Sequence, residues 1–179
     1  MTADPSPSPR PAPKKKKAIR KAAKPAFDPR IVVFACNWCS YAGADTAGVS
    51  RIQHQPHFRM IRVMCSGRIQ PAFVLRAFEK GADGVLVSGC HFGDCHYIFG
   101  NERAVEQFEK TMKVVKLLGI DEGRLRLEWI SAAEGARFAE VIDEFTDQVR
   151  AIGPSPFVSS GSIEDIEVPE TETRTGMEA

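Results

Sequence analysis

The sequence predicts an α/β fold, a doubly wound four-stranded parallel sheet with disordered tails at both ends. Three observations carry that prediction. Short apolar runs rich in β-branched residues alternate with segments of helical periodicity. The runs are apolar at consecutive positions, as strands covered on both faces require. Loops containing Gly or Ser separate the two kinds of segment, and the 179 residues, 43% of them hydrophobic, suit one domain with one good core.

Residues 1–30 are predicted to be disordered. Each proline of PSPSPRPAP fixes φ and removes a donor, and KKKKAIRKAAK then adds like charges. IVVFAC, 31–36, is a strand run that ends at Cys36. Residues 45–53 are compatible with a short helix, and FRMIRVM, 58–64, is a second strand ending at Cys65. Pro71 suits the first turn of a helix through Glu79, which Gly81 stops. GVLV, 84–87, is a third buried strand, followed at once by Gly89 and Cys90.

The clearest helix spans 102–118, with Asn101 as N-cap and Gly119 past its end. Val105, Phe108, Met112, Val115 and Leu117 or Leu118 form its apolar stripe, opposite Glu102, Glu106, Glu109, Lys110, Lys113 and Lys116. RLRLEWI, 124–130, is a fourth strand that turns Leu125, Leu127 and Trp129 inward. A helix over 133–152 buries Phe138, Val141, Ile142, Phe145 and Val149, and Gly153 and Pro154 end it. Three regions follow: a basic tail 1–30, a folded domain 31–153 and an acidic, disordered tail 154–179. Four strands alternating with four helices imply parallel crossovers, hence a flavodoxin-like strand order 2-1-3-4.

Charge and hydropathy exclude several classes. The net charge of +1 is unevenly spread: residues 1–30 hold nine Lys or Arg and two Asp, whereas 154–179 hold six Asp or Glu and one Arg. The Lys run could bind nucleic acid, but no aromatic residues are interleaved for base stacking, so a solvated tail is expected. No apolar run reaches the roughly 18 to 20 residues needed to cross a bilayer, and the basic N-terminus lacks the apolar segment of a secretory signal. A cytoplasmic location is the expectation, and in a reducing cytoplasm five cysteines point to metal binding or redox chemistry.

The cysteines are spaced Cys36-x2-Cys39-x25-Cys65-x24-Cys90-x4-Cys95. Ligands of such sheets collect beyond the carboxyl ends of the strands. Cys36, Cys65 and Cys90 would close three adjacent strands there, with Cys39 and Cys95 in the loops that follow. Four of these thiolates could hold a two-iron, two-sulfide cluster or a tetrahedral zinc ion. A thiol/disulfide pair at Cys36 and Cys39, or inert buried cysteines, are further readings. His91 and His96 each follow a cysteine directly, so they are expected to donate to sulfur or backbone behind the ligands; polar loop residues and metal ligands are the alternatives. Arg68 could stabilise an anionic cluster, pair with Asp45 or Asp94, or simply be solvated.

His54 and His57 carry no signal. Neither a dinucleotide fingerprint nor a phosphate-binding Gly-Lys loop is present, and no cysteine has a recognisable base-and-orienter order. Gly43, Gly67, Gly89, Gly93 and Gly100 suit tight turns or close backbone approach to a cluster. The aromatic loop residues Trp38, Tyr41, Phe92, Tyr97 and Phe99 could wall the site, contact a partner, or pack the rim.

FACNWCSYAGAD (34–45), RVMCSGRIQP (62–71) and GADGVLVSGCHFGDCHYIFGN (81–101) closely resemble the delta-subunit family of methyl-viologen-reducing hydrogenase. The resemblance spans about residues 30–153. It implies a small iron–sulfur protein carrying one [2Fe–2S] cluster on four among Cys36, Cys39, Cys65, Cys90 and Cys95. It further implies relay of electrons between a hydrogenase or formate dehydrogenase and the flavin-containing A subunit of heterodisulfide reductase, in cytoplasmic complexes that can perform flavin-based bifurcation. The two tails depart from the family pattern. A non-catalytic electron-transfer subunit is thus the expected function, and a zinc-stabilised, non-redox assembly module of an oxidoreductase complex is the alternative.

Overall fold

Four parallel strands form one sheet in which, counted along the chain, the second, first, third and fourth lie side by side. The computed structural model describes residues 27–157, so most of both predicted tails, and the Lys run with its possible nucleic-acid role, lie outside the described residues. Along the chain the elements are β1 Ile31–Cys36, α1 Ser40–Val49, β2 Phe58–Val63, α2 Pro71–Glu79, β3 Gly84–Gly89, α3 Gly100–Leu117, β4 Leu125–Trp129 and α4 Gly135–Ile152. Short 3-10 turns at Ser66–Arg68 and Glu122–Arg124 follow β2 and precede β4. Ile31 pairs with Phe58 on one side and Gly84 on the other, and Val85 pairs with Leu125, so β1 and β3 are central.

Alternation along the strands divides two cores. Ile31, Val33, Ala35 and Leu86 face α1 and α4, where they bury Phe138, Val141, Ile142, Phe145 and Val149. Phe34, Val85, Val87 and Leu125 face α2 and α3 and bury Val74, Phe78 and Val115. A central strand in such a sandwich has no wet face, which is why β3 is buried at all six positions.

Element edges differ from expectation where packing overrides local propensity. Helix α1 begins at Ser40 rather than near residue 45. Gly43 sits inside it because a Cβ there would come within 2.7 Å of Ser131 O, so the close approach of α1 to the β4–α4 connection requires glycine. Helix α3 begins at Gly100, which puts Asn101 inside the first turn instead of at the cap. Its buried side is Asn101, Ala104, Thr111 and Val115, with Phe108 and Met112 half-buried, whereas Leu117 is 86% exposed and Leu118 is also exposed. Leu117 and Leu118 lie on the outer side of a last turn whose inner residue, Val115, is fully buried. No described helix is long and apolar enough to cross a membrane.

Candidate metal centre

All five cysteines stand at the carboxyl edge of the sheet. Cys36 is the last residue of β1, Cys39 caps α1, Cys65 opens the 3-10 turn after β2, Cys90 follows β3, and Cys95 lies in the β3–α3 loop. Sulfur atoms of Cys36, Cys39 and Cys90 lie within 4.8 Å of one another, all three buried, and Cys36 Sγ is 3.8 Å from Cys90 Sγ. Cys95 packs against this trio and also converges with Cys65 over Gly100: a Cβ on that residue would collide with Cys65 Sγ and come within 2.9 Å of Cys95 Sγ. Glycine at the start of α3 is therefore required by the thiols above it. Gly67 and Gly89 allow similar close approaches, to Gly100 O and Ser66 Oγ, while Gly93, at φ +90°, serves a turn in open space.

Crowding polarises the thiols. The Cys36 thiol is held far below its ordinary range because Cys39 and then Cys90 donate to its sulfur, with the Trp38 and Ser66 N–H groups adding to this. Cys39 and Cys90 are pushed up because they donate to Cys36, and Cys65 is pushed up by burial. Three close sulfurs with no carboxylate among them form a donor set for a soft or borderline metal, in preference to magnesium or calcium.

Two latches hold the loops around this set. The Trp38 and His96 rings stack at 3.8 Å and 13°, and Trp38 Nε1 donates to Tyr97 Oη at 3.3 Å, tying the first cysteine loop to the third. His91 Nε2 lies 2.7 Å from Glu134 Oε2, the oxygen that also accepts from Ser131 N at 2.7 Å, tying the third loop to the segment after β4. The backbone N–H of Ser131 and then His91 hold the Glu134 carboxyl down at about 2. Phe92 packs edge-on against Trp129 at 5.2 Å, and Arg62 lies over Tyr41 at 5.2 Å. Phe99 is exposed at the start of α3.

Arg68 is exposed at the end of its 3-10 turn, and among the described residues it pairs with neither Asp45 nor Asp94, which are exposed as well. Three supporting residues escaped the sequence reading. Asn101 Nδ2 donates to His91 O at 2.9 Å while its Oδ1 accepts from Glu102 N. Ser40 Oγ donates to Gly89 O at 3.3 Å and lies 3.5 Å from Cys39 Sγ. Glu134 is separated from His91 by 43 positions, so no local pattern announces it.

Comparison with known proteins agrees with the geometry. The family model for methyl-viologen-reducing hydrogenase, delta subunit, matches residues 31–153. The iron-sulfur D subunit of the F420-non-reducing hydrogenase vhc of Methanococcus voltae is 51% identical over 128 residues, 72% of this chain and 89% of that protein. The iron-sulfur D subunit of the F420-non-reducing hydrogenase of Archaeoglobus profundus is 50% identical over 131 residues, 73% of this chain and 96% of that protein. The A subunit of the ferredoxin/F(420)H(2)-dependent CoB-CoM heterodisulfide reductase of Methanosarcina acetivorans is 53% identical over 126 residues, 70% of this chain but 16% of that protein. The matched span holds the whole sheet and all five thiols: the chain belongs to the methyl-viologen-reducing hydrogenase delta-subunit family.

Proposed function

We propose that the protein is a non-catalytic electron-transfer subunit holding one [2Fe–2S] cluster on four of Cys36, Cys39, Cys65, Cys90 and Cys95. The observation that carries this reading is the convergence of five thiols at one rim: a trio at Cys36, Cys39 and Cys90, with Cys95 packed against it and also beside Cys65. Five neighbouring sulfurs drawn from three strand ends exceed the single set of four that one tetrahedral ion needs and suit a group with two metal atoms. When bound, such a cluster supplies one-electron chemistry. The chain's own part is to hold the thiolates, to keep water off them through Trp38, Tyr97 and Phe92, and to orient the third loop through His91 and His96. Arg68, exposed on the neighbouring turn, adds a positive charge at the rim.

The relatives support a choice of donor and acceptor. A copy of this domain forms part of the large A subunit of a heterodisulfide reductase, and free-standing copies are named as hydrogenase subunits. The protein therefore relays single electrons from or to a hydrogenase or formate dehydrogenase on one side and a flavin-containing, A-type subunit of heterodisulfide reductase on the other, in a cytoplasmic complex.

Anaerobic purification followed by metal analysis, absorption and EPR spectra after dithionite reduction tests the proposal. Two irons per chain and a reduced-state EPR signal are expected. A colourless, EPR-silent protein with stoichiometric zinc would instead establish the non-redox assembly module, for which the Cys36, Cys39 and Cys90 trio supplies three of four ligands. Single Cys→Ser variants should abolish iron retention at four positions and leave one nearly unaffected; equal loss at all five rejects a four-ligand cluster.

A further inference from the structure

The sheet's second face is incompletely covered. On the side of α2, the floor made by β1 and β2 opens into a groove of about 1140 Å³. Val32 and Phe34 of β1 and Arg59 and Ile61 of β2 form its floor, and Phe73 and Ala77 of α2 form its wall. Ile61 is 46% and Phe73 53% exposed, and Phe34 meets Phe73 edge-on at 6.4 Å. Sparse as such apolar openings are on small domains, this one borders an edge strand. Its margin holds Arg30, Arg59, Arg76 and Lys80 against one carboxylate, Asp28; Arg76 is paired with Glu79 and Arg30 with Asp83, while Arg59 and Lys80 form no ion pair among the described residues.

The chain leaves the described domain at one end of this groove. Asp83, buried before β3, accepts from Ser155 N through one oxygen and from Arg30 N through the other, both at 2.8 Å. Arg30 lines the groove, and its guanidinium lies against Gly81 at the same end. Residues 158–179 therefore set out one buried carboxylate away from the groove. They contain Ser162-Ile163-Glu164-Asp165-Ile166-Glu167-Val168, in which extension puts Ile166 and Val168 on one side and Asp165 and Glu167 on the other. Six linking residues, 158–163, can span at most about 20 Å, and the six-residue β2 beside the groove is of about that length.

We infer that the groove is the docking site of the chain's own acidic segment around residues 164–168, laid extended along β2 with Ile166 and Val168 on Phe34, Ile61 and Phe73. Charge selects this occupant. The other tail, which enters beside Asp28 and Pro29, carries nine basic and two acidic residues through position 30 and meets a basic margin; the C-terminal segment brings six acidic residues and one Arg to it. A second copy would set the Arg59 and Arg62 edge of one β2 against that of another. Tethering favours the segment further, since a short linker holds it at an effective concentration on the order of millimolar.

Limited digestion of the full chain with a Glu-specific protease reads docking directly. Cleavage after Glu164 and Glu167 tracks the undocked population. In Ile61→Ser, Phe73→Ser and Arg59→Glu, all at half-exposed or exposed positions with the tail sequence intact, cleavage at those two sites should accelerate about tenfold, while cleavage after Glu178 stays constant. In Ile166→Asp and Val168→Asp, which leave the folded domain untouched, binding of an apolar fluorescent dye should rise as the groove opens. Unchanged cleavage in the groove variants, or unchanged dye binding in the tail variants, overturns the inference. So does protection that strengthens with protein concentration, because the occupant would then be the tail of another copy.

Discussion

The two ends of the sheet bury polar atoms in opposite ways. At the amino end, Asp83 accepts from Arg30 N and Ser155 N, while Arg124 donates to Asp83 O and Pro154 O, each at 2.9 Å. Those groups are met by the protein's own partners, Arg124 Nε excepted, which is buried without one among the described residues. At the carboxyl end, Cys36, Cys39, Cys65 and Cys90 are buried with one another, the Ser40 hydroxyl and a few backbone groups for partners, and no cationic side chain pairs with them. Such a set holds negative charge poorly until a cation joins it, as the upward displacement of Cys39, Cys65 and Cys90 records. One end is finished by folding; the other is finished by what it binds.

The largest expected effect lies at the finished end. Asp83→Ala leaves the buried donor Ser155 N and the part-buried donor Arg30 N without acceptors, and an orphaned buried donor costs about 1–3 kcal/mol. Urea denaturation of the metal-free protein should show a loss of about 2–5 kcal/mol, while Cys65→Ser changes the same quantity by less than about 1 kcal/mol. If the two variants lose equal stability without metal, the contrast between the ends fails. Gly100→Ala comes next. Its methyl group collides with Cys65 Sγ, so metal retention should drop at least about tenfold, against a cost of about 1–3 kcal/mol to the metal-free fold from overpacking.

The contrast also explains what could be read from the sequence. β3 announces itself because a strand buried on both faces is apolar at successive positions, and Cys36 and Cys90 are legible because each ends or follows such a run. The start of α1 was hidden: Gly43 reads as a turn residue, and only the approach of Ser131 O shows why a helix needs it. The grouping of the thiols was hidden as well. Beyond a strand end, side-chain direction depends on loop dihedrals such as the φ of +67° at Ile98, which no periodicity encodes. Leu117 and Leu118 mislead in the opposite sense, being apolar on the outer side of a turn whose inner residue, Val115, already fills the core.

Ile98 gives a smaller effect with a diagnostic sign. A β-branched residue in the left-handed region costs roughly 1–2 kcal/mol, and this one, exposed and bonded through its N–H to Cys95 O at 2.9 Å, shapes the Cys95 loop. Ile98→Gly should stabilise the metal-free protein by up to about 1 kcal/mol, after the added chain entropy of glycine is subtracted. Its iron retention should nevertheless fall, because the loop that presents Cys95 becomes freer. Gain in both quantities would show that the strain serves nothing at the rim.

Glu134 offers the smallest effect and a test by pH. Its carboxylate accepts from Ser131 N and contacts His91, with its folded pKa lowered to about 2 from an ordinary 4.5. A group depressed on folding contributes stability that is complete above the unfolded value and is lost as pH falls through the folded one. The stability gap between the wild-type protein and Glu134→Gln should therefore be constant above about pH 5 and shrink between about pH 4.5 and 2. With the side chain 40% exposed, the gap at neutral pH should be under about 1 kcal/mol. A gap several times larger, measured by denaturation at pH 7, would mean that the carboxyl end carries a folding network of its own and is not completed by its ligand alone.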